Sequence, residues 1–423
     1  MKEPIWSNAD NYGLYVTYLE LKDTWQENYR GIRMIDALAA DIISLYVTDV
    51  KPDWYHVGCE LLKRLKTDEL RQAFTQATNV FTFNAPKRRD HRELSHLMQE
   101  SVTNSTWLEL TYRYTPWGVI VPFIREYRNV RKHIRLSLVQ RCYLAACMVA
   151  YKKNIDLLSR CFRDTDLHGK RLVPFSATTY QEALLTLFFR SCGVVTYTTF
   201  HGILGHYMQH ITNDVVTGIN ILSDYALSFS REQQADLVKH FGIKPEIIRI
   251  AGNPKYPERD IQFGGACQKC LILSGVSRYD DDLRQLLPMA EEVGRELGIE
   301  FSLKPHPSSG LTEADIEQYA HMRMIDRFTT IKQLLSSGEY TVAITHNTSA
   351  YYECMYYGVR PMRWGLNENL DFRMLDDRFM TKQELMEGLS GGVDADYTNS
   401  AKQLLTNVLG VGINKYDELI NAQ

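Results

Sequence analysis

From Arg171 onward, short β-branched or apolar runs alternate with stretches of helical period, and this alternation constrains the fold more than any other feature of the chain. Leu172 to Phe175, Val194 to Thr199, Tyr225 to Phe229 and Ile247 to Ala251 read as strands, with Tyr180 to Cys192 and Arg231 to Phe241 as helices among them. Strands separated by helices imply a parallel sheet covered on both faces. The rhythm pauses over Pro257 to Gln268, a polar stretch containing Gly264-Gly265 that reads as a linker, and then restarts. Leu271 to Leu273, Glu300 to Leu303, Met322 to Ile325, Tyr340 to Thr345 and Pro361 to Trp364 are the second set of strands, with helices expected over Asp280 to Leu297, Ile316 to Tyr319, Thr330 to Ser337 and Ser349 to Tyr357. Residues 1–165 read as mostly helical, with a clear apolar stripe from Arg33 to Val50 and a long helix over Leu138 to Leu158.

The 423 residues exceed one ordinary core and suit two domains of about 200 residues each. The expected boundaries are 1–257 (helical over 1–165, α/β over 166–257), 258–385, and a closing helical segment at 386–423 that packs across both domains. A hydrophobic content of 44% with 23% charged residues belongs to a globular chain. A net charge of -3 argues against a dedicated nucleic-acid binder. No apolar run reaches the ~18 residues of a membrane span, and the N-terminus lacks a signal-peptide pattern. The eight cysteines read as reduced thiols of a cytoplasmic protein. Cys267 and Cys270 form a CxxC without a second pair or clustered histidines, so neither zinc nor a redox role is expected of them.

Two segments of the second domain carry chemistry. Leu303-Lys304-Pro305-His306-Pro307 reads as a strand end followed by a rigid turn that presents an imidazole, because two prolines fix the backbone and remove donors. Beside a phosphate that ring would be charged and would stabilise a leaving nucleotide. About forty residues later, Thr345-His346-Asn347-Thr348-Ser349 reads as a strand, a hydroxyl-rich turn and a helix start, where free N–H groups attract anions. Plain capping also explains Thr348 and Ser349, since these are the preferred cap residues. Glu353, one turn on, suits ribose hydroxyls or simple solvation. Gly275 and Arg278 lie in the loop after the domain's first strand, where the arginine can meet a donor phosphate or carboxylate. Asp280-Asp281-Asp282 has the look of a metal-binding DxD, but at a helix start acidic residues are favoured by the dipole, and no metal site is expected.

In the first domain, Phe200-His201-Gly202 closes a strand at its carboxyl edge, where open α/β sheets bind ligands. His201 there can take a proton from an acceptor hydroxyl, and Glu182 is the rival base. His206 and His210 read as structural or substrate-positioning. Arg125, Arg128, Arg131, Lys132, His133 and Arg135 form a basic run that suits an anionic membrane surface or polymer, or an ordinary solvated face.

The order His201-Gly202, Gly252-Asn253-Pro254, Lys304-Pro305-His306-Pro307, then Thr348-Ser349 with Glu353, resembles bacterial surface-polymer transferases. These are the β-Kdo transferases of capsule and lipopolysaccharide assembly, the polysialyltransferases, and the CDP-glycerol glycerophosphotransferases of teichoic acid synthesis. The resemblance covers about residues 170 to 370. It implies that His306-Pro307 and Thr348-Ser349 hold the donor's nucleotide phosphate and that His201 is the base. Two departures stand out: Phe200 replaces the family's glutamine before His-Gly, and the acidic motif of polysialyltransferases has no counterpart. The expected architecture is α/β of the GT-B type, two Rossmann-like domains facing across a cleft with a helical N-terminal elaboration. The expected activity is metal-independent, inverting transfer from a nucleotide-activated sugar to a surface glycan or lipid-linked glycan. A CMP-linked acidic sugar is favoured as donor, the nucleotide-sugar is a co-substrate, and no cofactor is called for. A CDP-glycerol-type transferase, a sugar-nucleotide epimerase and a non-catalytic scaffold are the alternatives. The cytoplasm, with contact at the inner face of the membrane, is the expected location.

Overall fold

The computed structural model describes residues 12–47, 51–85, 88–203, 220–368 and 373–422. The chain divides into two compact units, 1–255 with 413–423, and 256–412. Each is built on a six-stranded sheet whose neighbouring strands are all parallel.

In the first unit the sheet strands are β1 (Asn79–Phe83), β2 (Ser105–Glu109), β3 (Arg171–Pro174), β4 (Val195–Thr198), β5 (Tyr225–Ser228) and β6 (Ile248–Ile250). They lie in the order β6-β5-β4-β3-β1-β2. Strand alternation sends Val80 and Leu172 to one face, where they join Trp25, Tyr151 and Phe189, and Phe81, Phe83 and Val173 to the other, with Phe175, Tyr197 and Phe200. Helices α1 (Trp54–Leu62), α2 (Arg89–Glu100), α3 (Ile120–His133), α4 (Leu138–Cys161), α5 (Tyr180–Ser191) and α6 (Arg231–Phe241) belong to this unit. The long α4 starts from a capping box of Ser137 and Gln140 and is buried nearly all round, so α1 and α3 can pack on it through Val57, Phe123 and Tyr127.

β1 and β2 lie inside the stretch read as helical. Asn79-Val80-Phe81-Thr82-Phe83 is buried at every position, as a strand covered on both faces must be, and such a run carries no period-2 signal to tell it from a buried helix.

The second unit holds β7 (Lys269–Leu273), β8 (Glu300–Lys304), β9 (Met322–Met324), β10 (Val342–Thr345), β11 (Arg360–Trp364) and β12 (Arg378–Phe379), in the order β9-β8-β7-β10-β11-β12. This is the doubly wound arrangement, whose direction reverses between the first and fourth strands. Cys270 and Ile272 pack under α7 (Asp280–Leu297), while Leu271 and Leu273 pack under α8 (Ile331–Leu335) and α9 (Ala350–Tyr356). α7 buries Leu283, Leu286, Leu287, Ala290 and Val293 at helical spacing and stops at Gly298 in the left-handed region. The helix expected over Ile316 to Tyr319 is instead a single tight turn at Glu313–Asp315. The stretch 257–268 lies within this unit: the Tyr356 hydroxyl donates to the Pro257 carbonyl, and Phe263 meets the ring of Tyr397. α10 (Lys382–Ser390) and α11 (Ala395–Leu409) complete the unit.

The chain then returns to the first unit. α12 (Tyr416–Asn421) inserts Tyr416 and Ile420 into the core beside Phe81 and Tyr197. Its entry is fixed at Gly252, which bridges to Asn414 and whose carbonyl accepts from the Tyr416 hydroxyl at 3.1 Å. Gly252 has φ +89°, and a Cβ there would stand 1.8 Å from the Ile413 carbonyl oxygen. Gly252→Ala is therefore expected to destabilise the protein by more than ~1 kcal/mol in urea unfolding. An unchanged midpoint would contradict this close approach.

Candidate active site

Three loops leave the carboxyl ends of β8, β7 and β10, adjacent strands that flank the switch point of the second unit. The first carries His306. Its backbone N–H donates to Ser274 Oγ at 2.6 Å, which ties it to the loop after β7. The buried Lys304 stiffens the turn by donating from Nζ to the carbonyls of Pro305 (2.9 Å) and Arg327 (2.8 Å), and burial lowers its amine below the usual lysine range. The His306 ring is half-buried. Its Nδ1 accepts the Ser308 amide at 3.1 Å and lies 2.8 Å from Ser308 Oγ, so Nε2 bears the proton of the neutral ring. Pro307 is exposed.

Gly275 closes the gap to the loop after β10. A Cβ on it would lie 3.0 Å from the His346 carbonyl oxygen and 3.3 Å from that of Asn347, so any larger residue would push the two backbones apart by a few tenths of an ångström. Asn347 takes φ +47°, a left-handed conformation that asparagine tolerates, and turns the chain into Thr348-Ser349. Thr348 Oγ1 accepts the Ala350 amide at 3.3 Å, so this hydroxyl already caps the short α9, whereas Ser349 is exposed and makes no capping bond. Glu353 is half-buried and takes a hydrogen bond from Tyr256; burial first, and then this carboxylate, hold the Tyr256 phenol well above its ordinary value. Arg278 is exposed, in a single tight turn at Ser277–Tyr279.

The acidic run has a specific job here. Asp280 accepts from Ser309 Oγ (2.7 Å) and the Gly310 amide (2.6 Å), holding the end of the His306 loop. Asp282 accepts from Asn367 Nδ2 at 2.7 Å and lies 3.2 Å from His346 Nε2, holding the loop after β10. Asp281 faces outward to Arg284. The three carboxylates thus engage separate sets of partners. Among the described residues, no group of three or more His, Cys, Asp or Glu side chains is arranged to hold a metal. His346, a residue sequence reading passed over, is buried: Nδ1 meets the Trp364 carbonyl at 2.9 Å, and Nε2 is shared by Asp282 and Asn347.

In the first unit, His201 is exposed just beyond β4, and the Gly202 carbonyl accepts from Gln233 at 3.0 Å. Its neighbour is His91, in the first turn of α2, with ring centroids 4.8 Å apart. Arg88 Nη2 lies 2.8 Å from His91 Nε2 and pairs with Asp90 at 2.9 Å. Burial first, and then His201 and Arg88, lower His91 to about 4, so at neutral pH this ring is uncharged. Sequence reasoning missed His91. Its only signal was the polar run Arg88-Arg89-Asp90-His91-Arg92, and its partner is more than a hundred residues away. His206 and His210 lie outside the described residues.

Glu182 lies inside the first unit, at 3% exposure, rather than on its rim. Its Oε1 accepts from Thr82 Oγ1 and the Phe175 amide, both at 3.1 Å, so the carboxyl ties β1 to the end of β3.

No protein family's sequence model matches this chain, and no curated protein matches it. Solved structures of similar overall build include the glycotransferase of kitacinnamycin (10% identity, TM-score 0.46, covering 82% of this chain and 98% of that one). Others are a putative UDP-N-acetylglucosamine 2-epimerase from Listeria monocytogenes (13%, 0.48, 79% and 93%) and the UDP-GlcNAc 2-epimerase from Neisseria meningitidis (10%, 0.42, 78% and 99%). At such identities and scores these are likenesses of build alone.

Burial raises Glu182 to about 8, against the hydrogen bonds from Thr82 and Phe175, which act to lower it. A folded-state value above the unfolded one means that the stability this carboxyl contributes is full below its ordinary range and is lost as pH rises through about 8. Glu182→Gln keeps an oxygen acceptor for both donors and cannot ionise. Relative to wild type it should gain roughly a few kcal/mol in urea unfolding between about pH 5 and 9. A difference that does not change with pH would show that the carboxyl is not the protonated, buried group described.

Proposed function

We propose that this protein is a glycosyltransferase. In this reading it moves a sugar from a nucleotide-activated donor to a glycan acceptor of a bacterial surface polymer, without a metal and with inversion. The observation that carries it is the meeting of three loops at the switch point of the second sheet. There the turn that carries an imidazole, the turn that carries a pair of hydroxyls and the Gly275 loop between them leave the ends of three adjacent strands. Strands of a sheet are spaced about 4.8 Å apart, so the His306 and Thr348 loops rise about 10 Å from one another with the Gly275 loop between them. That span suits a nucleoside phosphate lying across the edge.

His306 would donate from Nε2 to the donor phosphate and, once protonated, offset the charge that builds on the leaving nucleotide. Ser349 and Thr348 would add hydroxyl contacts, Glu353 would receive ribose hydroxyls, and Arg278 would pair with a phosphate or with the carboxylate of an acidic sugar. A CMP-linked acidic sugar is the favoured donor on the resemblance of the motifs. No metal is needed in this scheme, because Asp280 and Asp282 are spent on holding the loops. In the first unit His201 is the base: it is exposed, next to Gly202, and set beside a neutral His91 that does not repel the proton it gains. Glu182 positions the loop after β3 instead.

Two outcomes follow. His306→Ala should slow transfer by ~10²-fold or more with the melting temperature unchanged, because the side chain stabilises charge and contributes little packing. Near-normal turnover would remove the histidine from the reaction, and conversion of a sugar nucleotide without any acceptor would favour an epimerase. His201→Ala should slow transfer by ~10²-fold while nucleotide affinity is kept, with Glu182→Gln still active. An active His201→Ala beside an inactive Glu182→Gln would make the carboxyl the base.

A further inference from the structure

α3 is amphipathic in an unusual sense, because its outward face is itself divided along its length. At 3.6 residues per turn, Ile120, Val121, Ile124, Arg128, Arg131 and Lys132 fall within one arc of about 120°. Phe123, Glu126, Tyr127 and Val130 occupy the opposite side, and Phe123 and Tyr127 there pack against residues of α1 and α4. The first part of the outward face is apolar and open: Ile120 is 72% exposed, Val121 78% and Ile124 46%, and Trp117, just before the helix, is 85% exposed. The second part is basic and open, with Arg128, Arg131 and Lys132, followed by Arg135. Arg125 pairs with Glu126 at 2.9 Å, but no ion pair joins those four cations to a described carboxylate. The same face walls a groove of about 810 Å³ whose far side is Trp25, stacked on His133 at 5.1 Å.

Four large apolar side chains standing together in water are costly, and a solvated basic face alone gives no reason for them. A tryptophan and three branched aliphatics leading into a row of cations match the two layers of an anionic bilayer surface. The indole and aliphatics suit the boundary between headgroups and acyl chains, and the cations suit the lipid phosphates. Among the described residues no helix is long and apolar enough to cross a membrane, so an attachment through α3 is one along the surface.

We propose that Trp117 and the outward face of α3 bind an anionic lipid bilayer, with Trp117, Ile120, Val121 and Ile124 entering the interface while Arg128, Arg131 and Lys132 lie on the headgroups. The attachment would hold the first unit against the surface where lipid-linked acceptors reside. Vesicle binding is read without turnover, so its outcome stands apart from that of the transfer assay.

The test is flotation of the full chain with vesicles of phosphatidylcholine alone and with roughly 30 mol% phosphatidylglycerol added. Binding should be ~10-fold or more stronger with the anionic lipid and should weaken in high salt. Arg128→Glu with Arg131→Glu and Lys132→Glu, and separately Trp117→Ser with Val121→Ser, should each lower it by ~10-fold or more while the melting temperature holds, since all of these side chains are exposed. Equal binding to both vesicles, no binding, or binding that ignores the Trp117 and Val121 changes would overturn the proposal. Capture by heparin in place of vesicles would assign the face to an anionic polymer and overturn it equally.

Discussion

Two carboxylates at the start of α7 hold the rim of the second unit in one shape. Asp280 grips the loop after β8 through Ser309 and Gly310, and Asp282 grips the loop after β10 through His346 and Asn367. Between them passes the loop after β7, fixed by Ser274 on one side and by the fit of Gly275 on the other. Removing one partner of a buried charged or hydrogen-bonded pair costs several kcal/mol, mostly through the group left behind. The loops are therefore pre-set before any ligand arrives. Positioned donors of this kind stabilise developing charge without reorganising at the moment of reaction. Within the acidic run, Asp280 and Asp282 thus brace the loops on either side of them.

The first unit uses a buried carboxyl in a related way. Glu182 ties β1 to β3 from inside, and its raised pKa is the consequence of that burial. At the same sheet's carboxyl edge the exposed His201, Arg88 and Asp90 gather around the mostly buried His91. A buried carboxyl with a raised pKa and an exposed histidine both fit the description of a base by residue type. Burial sets them apart: Glu182 is enclosed and His201 is exposed.

Much of this was legible in the sequence where local signals were sharp. α7 runs over Asp280–Leu297 as its apolar spacing and its terminal glycine require, and five strands of the second unit fall at the short runs expected between turn residues, whereas the two-residue β12 (Arg378–Phe379) was not expected. The two α/β units follow from the interrupted rhythm. What was not legible depends on contacts far apart in the chain. β1 carries no alternation because it is covered on both faces, and β2 carries none because it is half-buried at every position. Glu182 reads as a rival base at a helix start until Thr82, a hundred residues earlier, is placed against it. His91 gains a role only beside His201, and Asp280 and Asp282 gain theirs only once the loops they hold are in place. The exposed apolar end of α3 was overlooked for the opposite reason. Its periodicity is that of an ordinary helix, and only the packing reveals which side is left open.

The central claim is that one nucleotide-binding edge is formed by the loops after β7, β8 and β10. Amide hydrogen exchange of the whole chain, with and without millimolar CMP, CDP, UDP or GDP, tests it most directly, because it reads the site without needing the sugar or the acceptor. At least one of these nucleotides should slow exchange together at residues 274–278, 305–310 and 346–349. Protection confined to other segments, or no change with any of the four, would contradict it.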